Sequence, residues 1–404
     1  MPVGSDLAAL VAGFFDGMTG PIGVAVSGGG DSVALLHLLA AVRRDLHVVT
    51  VDHGLRAESA SEADGVARMC AVLGLPHQTL HWQDWDGQGN LMDAARRARQ
   101  RLIAHWAKGL GIGLVALGHT ADDQAETFVM RLARGSGVDG LAAMAARRTG
   151  YGVAWARPLL TVSRQDLRDY LRVQSIAWVD DPTNEDTSFD RIKARQALAV
   201  LAPLGITPER LADTVQSMSL AQQVLDHALR RVIAAAVRIE AGEVIIDREL
   251  LRQEPLETQL RLMSAAIRWA SSADYRPRLE AAVAALAAIM AGQKRSLAGC
   301  LLTPGKRDIR ITREPKAVAN AVCVTTELWD NRWRVTGPHR AGLMVRALGS
   351  EGLRKCKNWR ETGISRSALL VSPAIWRDEA LIAAPLAGFG VDWSADIPAG
   401  FSSF

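Results

Sequence analysis

The sequence predicts an α/β protein: an N-terminal doubly wound parallel sheet, then a mostly helical domain, then a small α+β C-terminal domain. Three observations carry this. Between residues 20 and 134, apolar β-branched runs alternate with segments of helical spacing, the rhythm of βαβ units. A glycine-rich turn, Ser27-Gly28-Gly29-Gly30-Asp31-Ser32, joins the first such run to the first helix. Near residue 190 the alternation gives way to Ala/Leu/Val-rich helical segments and then to short β-like runs. The implied domains are 1–200, 201–293 and 294–404.

Taken in order, Ile22 to Val26 is apolar and β-branched and reads as a buried strand, and Val33 to Leu39 reads as a helix. Leu46 to Val51 is a second strand. Ser59 to Gly74 places Ala63, Val66, Ala67, Cys70 and Leu73 at helical spacing and ends at a glycine. Pro76 to Trp82 is a third strand, and Asn90 to Gly109 a long Ala/Arg helix. Leu114 to Gly118 is another buried strand, and Ala121 to Arg134 the helix after it. Leu211 to Ile239 and Pro255 to Ala291 have helical spacing, with a short strand at Glu243 to Asp247 between them. Arg310 to Thr312, Val322 to Thr325, Trp333 to Val335 and Leu343 to Arg346 are β-like.

Composition bounds the function. The chain has 404 residues, 49% hydrophobic and 22% charged, as in soluble globular proteins. A net charge of +4 permits a polyanionic partner without demanding one. Cys70, Cys300, Cys323 and Cys356 are scattered with no CxxC pair, which argues against zinc, an iron–sulfur cluster or a disulfide framework. Met1 to Asp6 lacks a basic segment leading into an apolar run, and no segment has the length and apolarity of a bilayer span. A cytoplasmic location and no membrane partner are expected.

The glycine turn is where chemistry is expected. Glycines without Cβ atoms let backbone N–H groups close around an anion, and the following helix N-terminus adds partial positive charge. Ser27, Gly28, Gly29, Gly30, Asp31 and Ser32 therefore read as a phosphate cradle. It lacks the Gly-Lys-Ser/Thr ending of the usual P-loop. Asp31 would repel phosphate unless it holds Mg²⁺. The plain alternative is a turn in which Asp31 or Ser32 caps the helix. Asp52 and His53 follow the second strand, where a carboxylate can orient a ribose or a metal. Taken alone, a capping Asp52 with a solvated Arg56 is the simpler reading. In His119 to Thr127, Asp123 and Glu126 are i and i+3 and share a helix face, with His119 at the strand end. Arg96, Arg97 and Arg99 point in different directions on a helix, so they cannot all serve one pocket; one is expected to reach a triphosphate and the others to meet solvent or nucleic acid. Lys355, Lys357 and Arg360 surround Trp359, a combination that suits RNA.

Ser27 to Ser32 resembles the pyrophosphatase loop of the N-type ATP pyrophosphatases. Within that group, Val51 to Arg56, Asn90 to Arg99, His119 to Thr127 and Arg131 to Gly137 resemble the isoleucine tRNA lysidine synthetases. So do Arg157-Pro158-Leu159-Leu160, Asp180 to Asn184, and Arg191. The motifs run in the family's order over roughly residues 20 to 200. Gly30 and Gly118 depart from the residues usual there. Trp329 to Val335 and Pro373 to Asp378 resemble the family's later domains more loosely.

The resemblance implies an N-terminal PP-loop ATP pyrophosphatase domain and an ATP- and Mg²⁺-dependent ligase. Its partners would be free L-lysine and an isoleucine tRNA with a CAU anticodon; a homodimer is left open. ATP would adenylate the C2 oxygen of the wobble cytidine, and the lysine amine would displace AMP to give lysidine. Catalysis would rest on Asp31, Arg99, His119, Asp123 and Glu126. Asp52 and His53 would join the loop in binding nucleotide, Asp31 would hold metal, and Asp123 and Glu126 would hold lysine. Arg134 and Arg191, with Lys355, Lys357 and Arg360, would meet tRNA. The lysine ammonium, with a reference pKa of about 10.4, must lose a proton, and a carboxylate can bind it or take the proton. Two rivals differ in class: a thiolating or amide-forming relative, which would need extra cysteines or an ammonia source, and an RNA-binding protein with an inactive nucleotide fold, against which Asp31, Ser32, Asp123 and Glu126 speak.

Overall fold

The computed structural model describes residues 3–54, 58–83, 85, 87, 91–179, 190–273, 275–398 and 400–401. Leu55 and Arg56, Asn90 at the expected start of the Ala/Arg helix, and Asp180 to Asn184 lie outside the described residues. The chain forms two compact units, residues 1–223 and 224–404.

The first unit runs α1 (Val3–Phe14), β1 (Ile22–Ala25), α2 (Gly30–Val42), β2 (Leu46–Asp52), α3 (Ser59–Leu73), β3 (His77–His81), α4 (Leu91–Gly109), β4 (Leu114–Leu117), α5 (Ala121–Leu132), α6 (Val138–Leu141), β5 (Arg147–Gly150), β6 (Val153–Ala156), α7 (Arg164–Val173) and α8 (Asp190–Leu201). Every strand and helix expected between residues 22 and 134 is present, with ends moved by a few residues. The sheet order is β3-β2-β1-β4-β6-β5. All neighbours pair in parallel except β5, which runs antiparallel to β6 at the edge. That hairpin carries little sequence signal, because Arg147-Arg148-Thr149-Gly150 has no apolar alternation.

Both faces of the sheet are covered. On one side α2 buries Val33, Ala34, Leu35, Leu36, Leu38 and Leu39 completely and packs beneath α1 and α7. A helix apolar on all sides belongs inside a fold. On the other side Ile103, Ala104, Trp106 and Ala107 of α4 pack on Val49, Val115 and Trp155. Gly23 makes room there, since a Cβ on it would lie 3.0 Å from the Trp106 ring.

Chain order places the site. From β1 the strands run outward to β3, and β4 then returns to the other side of β1. The loops after β1 and β4 therefore leave the sheet in opposite directions and open a crevice at the carboxyl ends of these strands.

In the second unit a five-stranded antiparallel sheet is ordered Val237–Glu240, Glu243–Asp247, Asp308–Arg313, Cys300–Pro304, Arg295–Leu297. The helices Leu256–Ser271 and Leu279–Met290 bury Leu262, Met263, Ile267 and Ile289 against it. This sheet joins strands from both sides of residue 293. Residues 237–239, read from sequence as the end of a helix, are a strand instead. The cause is a two-residue turn at Ala241 and Gly242, both with positive φ (47° and 79°), which pairs Glu240 with Glu243. Buried Glu243 accepts from Thr312 Oγ1, Arg310 Nη1, Ser365 Oγ and Ser367 Oγ, so its charge is fully hydrogen-bonded. Smaller sheets of four and two strands complete the C-terminal region.

Candidate active site

The loop after β1 is closed by its own hydroxyls. Ser32 Oγ accepts from the Ser27 N–H at 3.1 Å and donates to the Gly29 carbonyl at 2.9 Å. The Val179 N–H donates to the Gly28 carbonyl at 3.0 Å, which pins the loop from outside. Gly28 has φ +90°, a backbone shape that favours glycine. Gly29 is the N-cap of α2 and supplies no side-chain cap. The capping alternative therefore does not hold: Asp31 points to Arg164 and Ser32 closes the loop, while the first-turn N–H groups of α2 keep the character of an anion site.

Gly118 ends β4 against this turn. A Cβ on Gly118 would lie 2.8 Å from the Asp31 carbonyl oxygen and 3.0 Å from Ser32 Cα, and both obstacles are backbone. Gly118→Ala should therefore spread β4 from α2. Overpacking of this kind costs about 1–3 kcal/mol. Thermal unfolding should show that loss. An unchanged melting temperature would mean the two elements part freely.

Three carboxylates meet in the crevice. Thr120 caps α5, with Asp123 Oδ2 accepting from the Thr120 N–H (2.9 Å) and hydroxyl (3.2 Å). The other oxygen, Asp123 Oδ1, faces Arg164 Nη2 at 3.4 Å and Arg191 Nη2 at 3.3 Å. Glu126, 1% exposed, accepts at Oε1 from Arg195 (Nη2 2.8 Å, Nε 3.0 Å) and Arg164 (Nη1 3.5 Å). Its Oε2 lies 3.0 Å from Arg191 Nε but accepts no hydrogen bond from the described residues. Asp31 Oδ2 accepts from Arg164 Nε at 3.1 Å. The cluster is assembled by packing: Leu198 of α8 lies in one apolar cluster with Ala125 and Phe128 of α5, so Arg191 and Arg195, one turn apart, overlie Asp123 and Glu126.

The electrostatics separate the acids. Burial dominates at Asp31, and with the nearby charge of Asp123 it raises the carboxyl above its usual range against the pull of Arg164. Burial also opposes ionisation of Asp123. There Arg191, His119, Arg164 and the Thr120 N–H together outweigh it and hold the carboxyl below its usual range. His119 is pushed down to about 3, first by burial, and its Nδ1 has no hydrogen-bond partner among the described residues. At neutral pH it is an uncharged imidazole and a poor proton acceptor. Arg99 keeps access to solvent within a wall of protein, and burial followed by the charges of Arg96 and Arg191 lowers its guanidinium. It contributes charge close to His119 and to His53.

Other expected site residues lie apart from the cluster or are otherwise engaged. Asp52 accepts from the Gly54 N–H at 2.8 Å, and that bond, with Ser59 and His81, holds its pKa down. His53 meets Trp82 edge-on. Arg134 makes an exposed pair with Asp190 at 3.2 Å. Arg191, expected at tRNA, lies against Asp123 and Glu126 and is 40% exposed. In the second unit Lys355, Lys357 and Arg360 are exposed; Lys355 lies over Trp376 and Arg360 over Trp359. Arg332, nearby in sequence, is buried between Trp269 and Trp333 and donates to the Ala270 and Gly242 carbonyls. It is a structural cation.

Sequence reasoning missed Arg164 and Arg195. The available signals were weak: Arg164 follows the N-cap Ser163, and Arg195 sits four residues after Arg191. Among the described residues no group of three or more His, Cys, Asp or Glu could hold a metal ion. Mg²⁺ commonly takes one or two carboxylates and completes its shell with water and phosphate oxygens. Asp31 beside an anion-binding loop therefore fits a cation that arrives with phosphates, and does not make a protein-held metal centre.

Residues 8–201 match the family model of the PP-loop domain. The tRNA(Ile)-lysidine synthase of Ruegeria pomeroyi is 49% identical over 387 residues, covering 95% of this chain and 92% of that one. The tRNA(Ile)-lysidine synthase of Wolbachia pipientis wMel is 35% identical, over 78% of this chain and 76% of that one. Among solved structures, the U34-tRNA thiolase NcsA from Methanococcus maripaludis aligns with a TM-score of 0.47 at 14% identity, over 54% of this chain and 78% of that one, too distant to carry a functional argument.

Proposed function

Since the chain belongs to the tRNA(Ile)-lysidine synthase family, we propose that its carboxylate–arginine crevice is where lysine is joined to an adenylated cytidine. The protein is an ATP-dependent ligase that attaches lysine to the wobble cytidine of tRNA(Ile). The finer reading is a CAU anticodon, an adenylated C2 oxygen, and attack by the amine of free lysine with release of AMP. The observation that carries it is the continuity of one charge cluster from the phosphate loop, at Asp31, to the acidic pair Asp123 and Glu126.

A carbonyl oxygen leaves C2 poorly, and joining it to AMP makes it a good leaving group. The Ser27–Ser32 turn and the α2 N-terminus favour the negative charge of the phosphates. A divalent cation at Asp31 would neutralise charge on the departing pyrophosphate. Arg99, open to solvent and near His119, is placed to meet an anionic group. Asp123, held ionised, suits the lysine ammonium as counter-ion more than it suits taking a proton. Glu126 Oε2, which takes no hydrogen bond from the described residues, is the remaining acceptor. The thiolating rival fits less well: the four cysteines are unpaired, and burial pushes the Cys70 thiol up to about 11.

The test uses an isoleucine tRNA transcript with a CAU anticodon, ATP and lysine. The expected result is a mass gain of one lysyl residue at the wobble cytidine, dependent on both small molecules. A gain of the lysyl mass without added lysine, a sulfur addition, or no change would overturn the reading. Such a substrate points to the cytoplasm, and no helix among the described residues is long and apolar enough to cross a membrane.

Grip on tRNA is expected from Arg354, Lys355, Lys357 and Arg360. Truncation near residue 295 would cut the five-stranded sheet, so the test is joint substitution of these four by glutamine. Every cation that neutralises a phosphate contributes about one to the slope of log affinity against log salt, and its removal should flatten the slope by that amount. Filter binding over a salt series measures this; an unaltered slope would make the four ordinary solvated cations.

A further inference from the structure

Arg164 reaches both ends of the crevice. Its three guanidinium nitrogens go to three different carboxylates: Nε to Asp31 at 3.1 Å, Nη2 to Asp123 at 3.4 Å and Nη1 to Glu126 at 3.5 Å. A fork on one carboxylate is the common arrangement for arginine, and the split here ties the first turn of α2 to that of α5. The backbone beneath it is fixed. The Arg164 N–H donates to Asp122 Oδ2 at 2.7 Å, the Ala121 N–H donates to the Val162 carbonyl at 2.9 Å, and Ser163 caps α7. Only the side chain is left to move.

A cation at Asp31 competes for one arm of this guanidinium, and an ammonium at Asp123 and Glu126 competes for the other two. The cost of withdrawing the side chain falls on whichever ligand arrives first, and the second meets a loosened arm. We infer that Arg164 is a positioning residue that couples the two ends, so that nucleotide with its divalent cation at Asp31 and lysine at the acidic pair strengthen each other's binding. The inference rests on the proposed roles of Asp31, Asp123 and Glu126. By linkage the coupling is reciprocal, and couplings of this type amount to roughly 5- to 150-fold in affinity.

Binding, rather than turnover, tests it. Lysine is titrated calorimetrically into the full chain, alone and with a non-hydrolysable ATP analogue and Mg²⁺. Mn²⁺ binding with the analogue is followed by electron paramagnetic resonance, with and without lysine. In the wild type each ligand should tighten the other by the same factor, at least about fivefold. Arg164→Met should bring both factors to about one and strengthen lysine binding to the nucleotide-free chain. Arg164→Lys, a point charge that cannot span three carboxylates, should lower the factor while preserving the fold, so it carries the test if the methionine variant does not fold. A wild-type factor of one, or the same factor in the folded variants, overturns the coupling. Asp123→Asn separates the two questions: wild-type lysine affinity in that variant would overturn the amine-site assignment itself.

Discussion

Asp31→Ala is expected to slow adenylate formation at least about a hundredfold, the scale on which removal of one electrostatic group at a reacting centre is felt, while tRNA binding stays near wild type. The acid sits in the first turn of α2, at a loop otherwise suited to anions, and Arg164 is its ion-pair partner. Without a cation such a carboxylate would oppose phosphate; with one it anchors it. The fold should tolerate the change, because Arg164 keeps Asp123 and Glu126 as partners. Single-turnover assay of the ATP-dependent tRNA adenylate measures the effect, with filter binding as the control. A wild-type rate would remove Asp31 from the chemistry.

Asp123→Asn and Glu126→Gln should affect the later step more than the earlier one. With lysine withheld, both variants should accumulate adenylate at a rate nearer wild type; when lysine is added, its consumption should lag by tenfold or more, about 1.4 kcal/mol of transition-state stabilisation. Glu126→Gln removes a charge that three arginines surround, and breaking a buried pair costs about 3–5 kcal/mol. Arg191 and Arg195 are 40% and 39% exposed, which keeps the loss toward the lower end. Thermal unfolding must therefore accompany the kinetics. If both variants make and consume the adenylate at wild-type rates, the amine site lies elsewhere.

On the proposed reading the two steps divide along the two strand ends that form the crevice: the turn after β1 would serve the phosphates, and the turn after β4, which carries the acidic pair, would serve the amine. Gly118 lets them approach, which gives a physical reason for one of the two glycines that depart from the family pattern.

Local pattern determined much of this protein. Strands and helices from residue 22 to 134 follow from apolar β-branched runs and segments of helical spacing, and the loop, His119, Asp123 and Glu126 follow from their positions at strand ends. These signals are short-range: each depends on residues within one or two turns of chain. Tertiary structure alone decided the rest. It brought Arg164 and Arg195 to the acids, though they lie 38 and 69 residues from Glu126. It turned Arg191 onto the same pair and withdrew Arg332 from the surface. It converted residues 237–239 from helix end to strand, because a turn and a partner strand outweighed helical spacing. Guanidinium groups have long stems and weak local preferences, so a sequence shows that a cation exists but not which carboxylate it will face. That choice belongs to the packing of α7 and α8 against α2 and α5, which spacing along the chain does not encode.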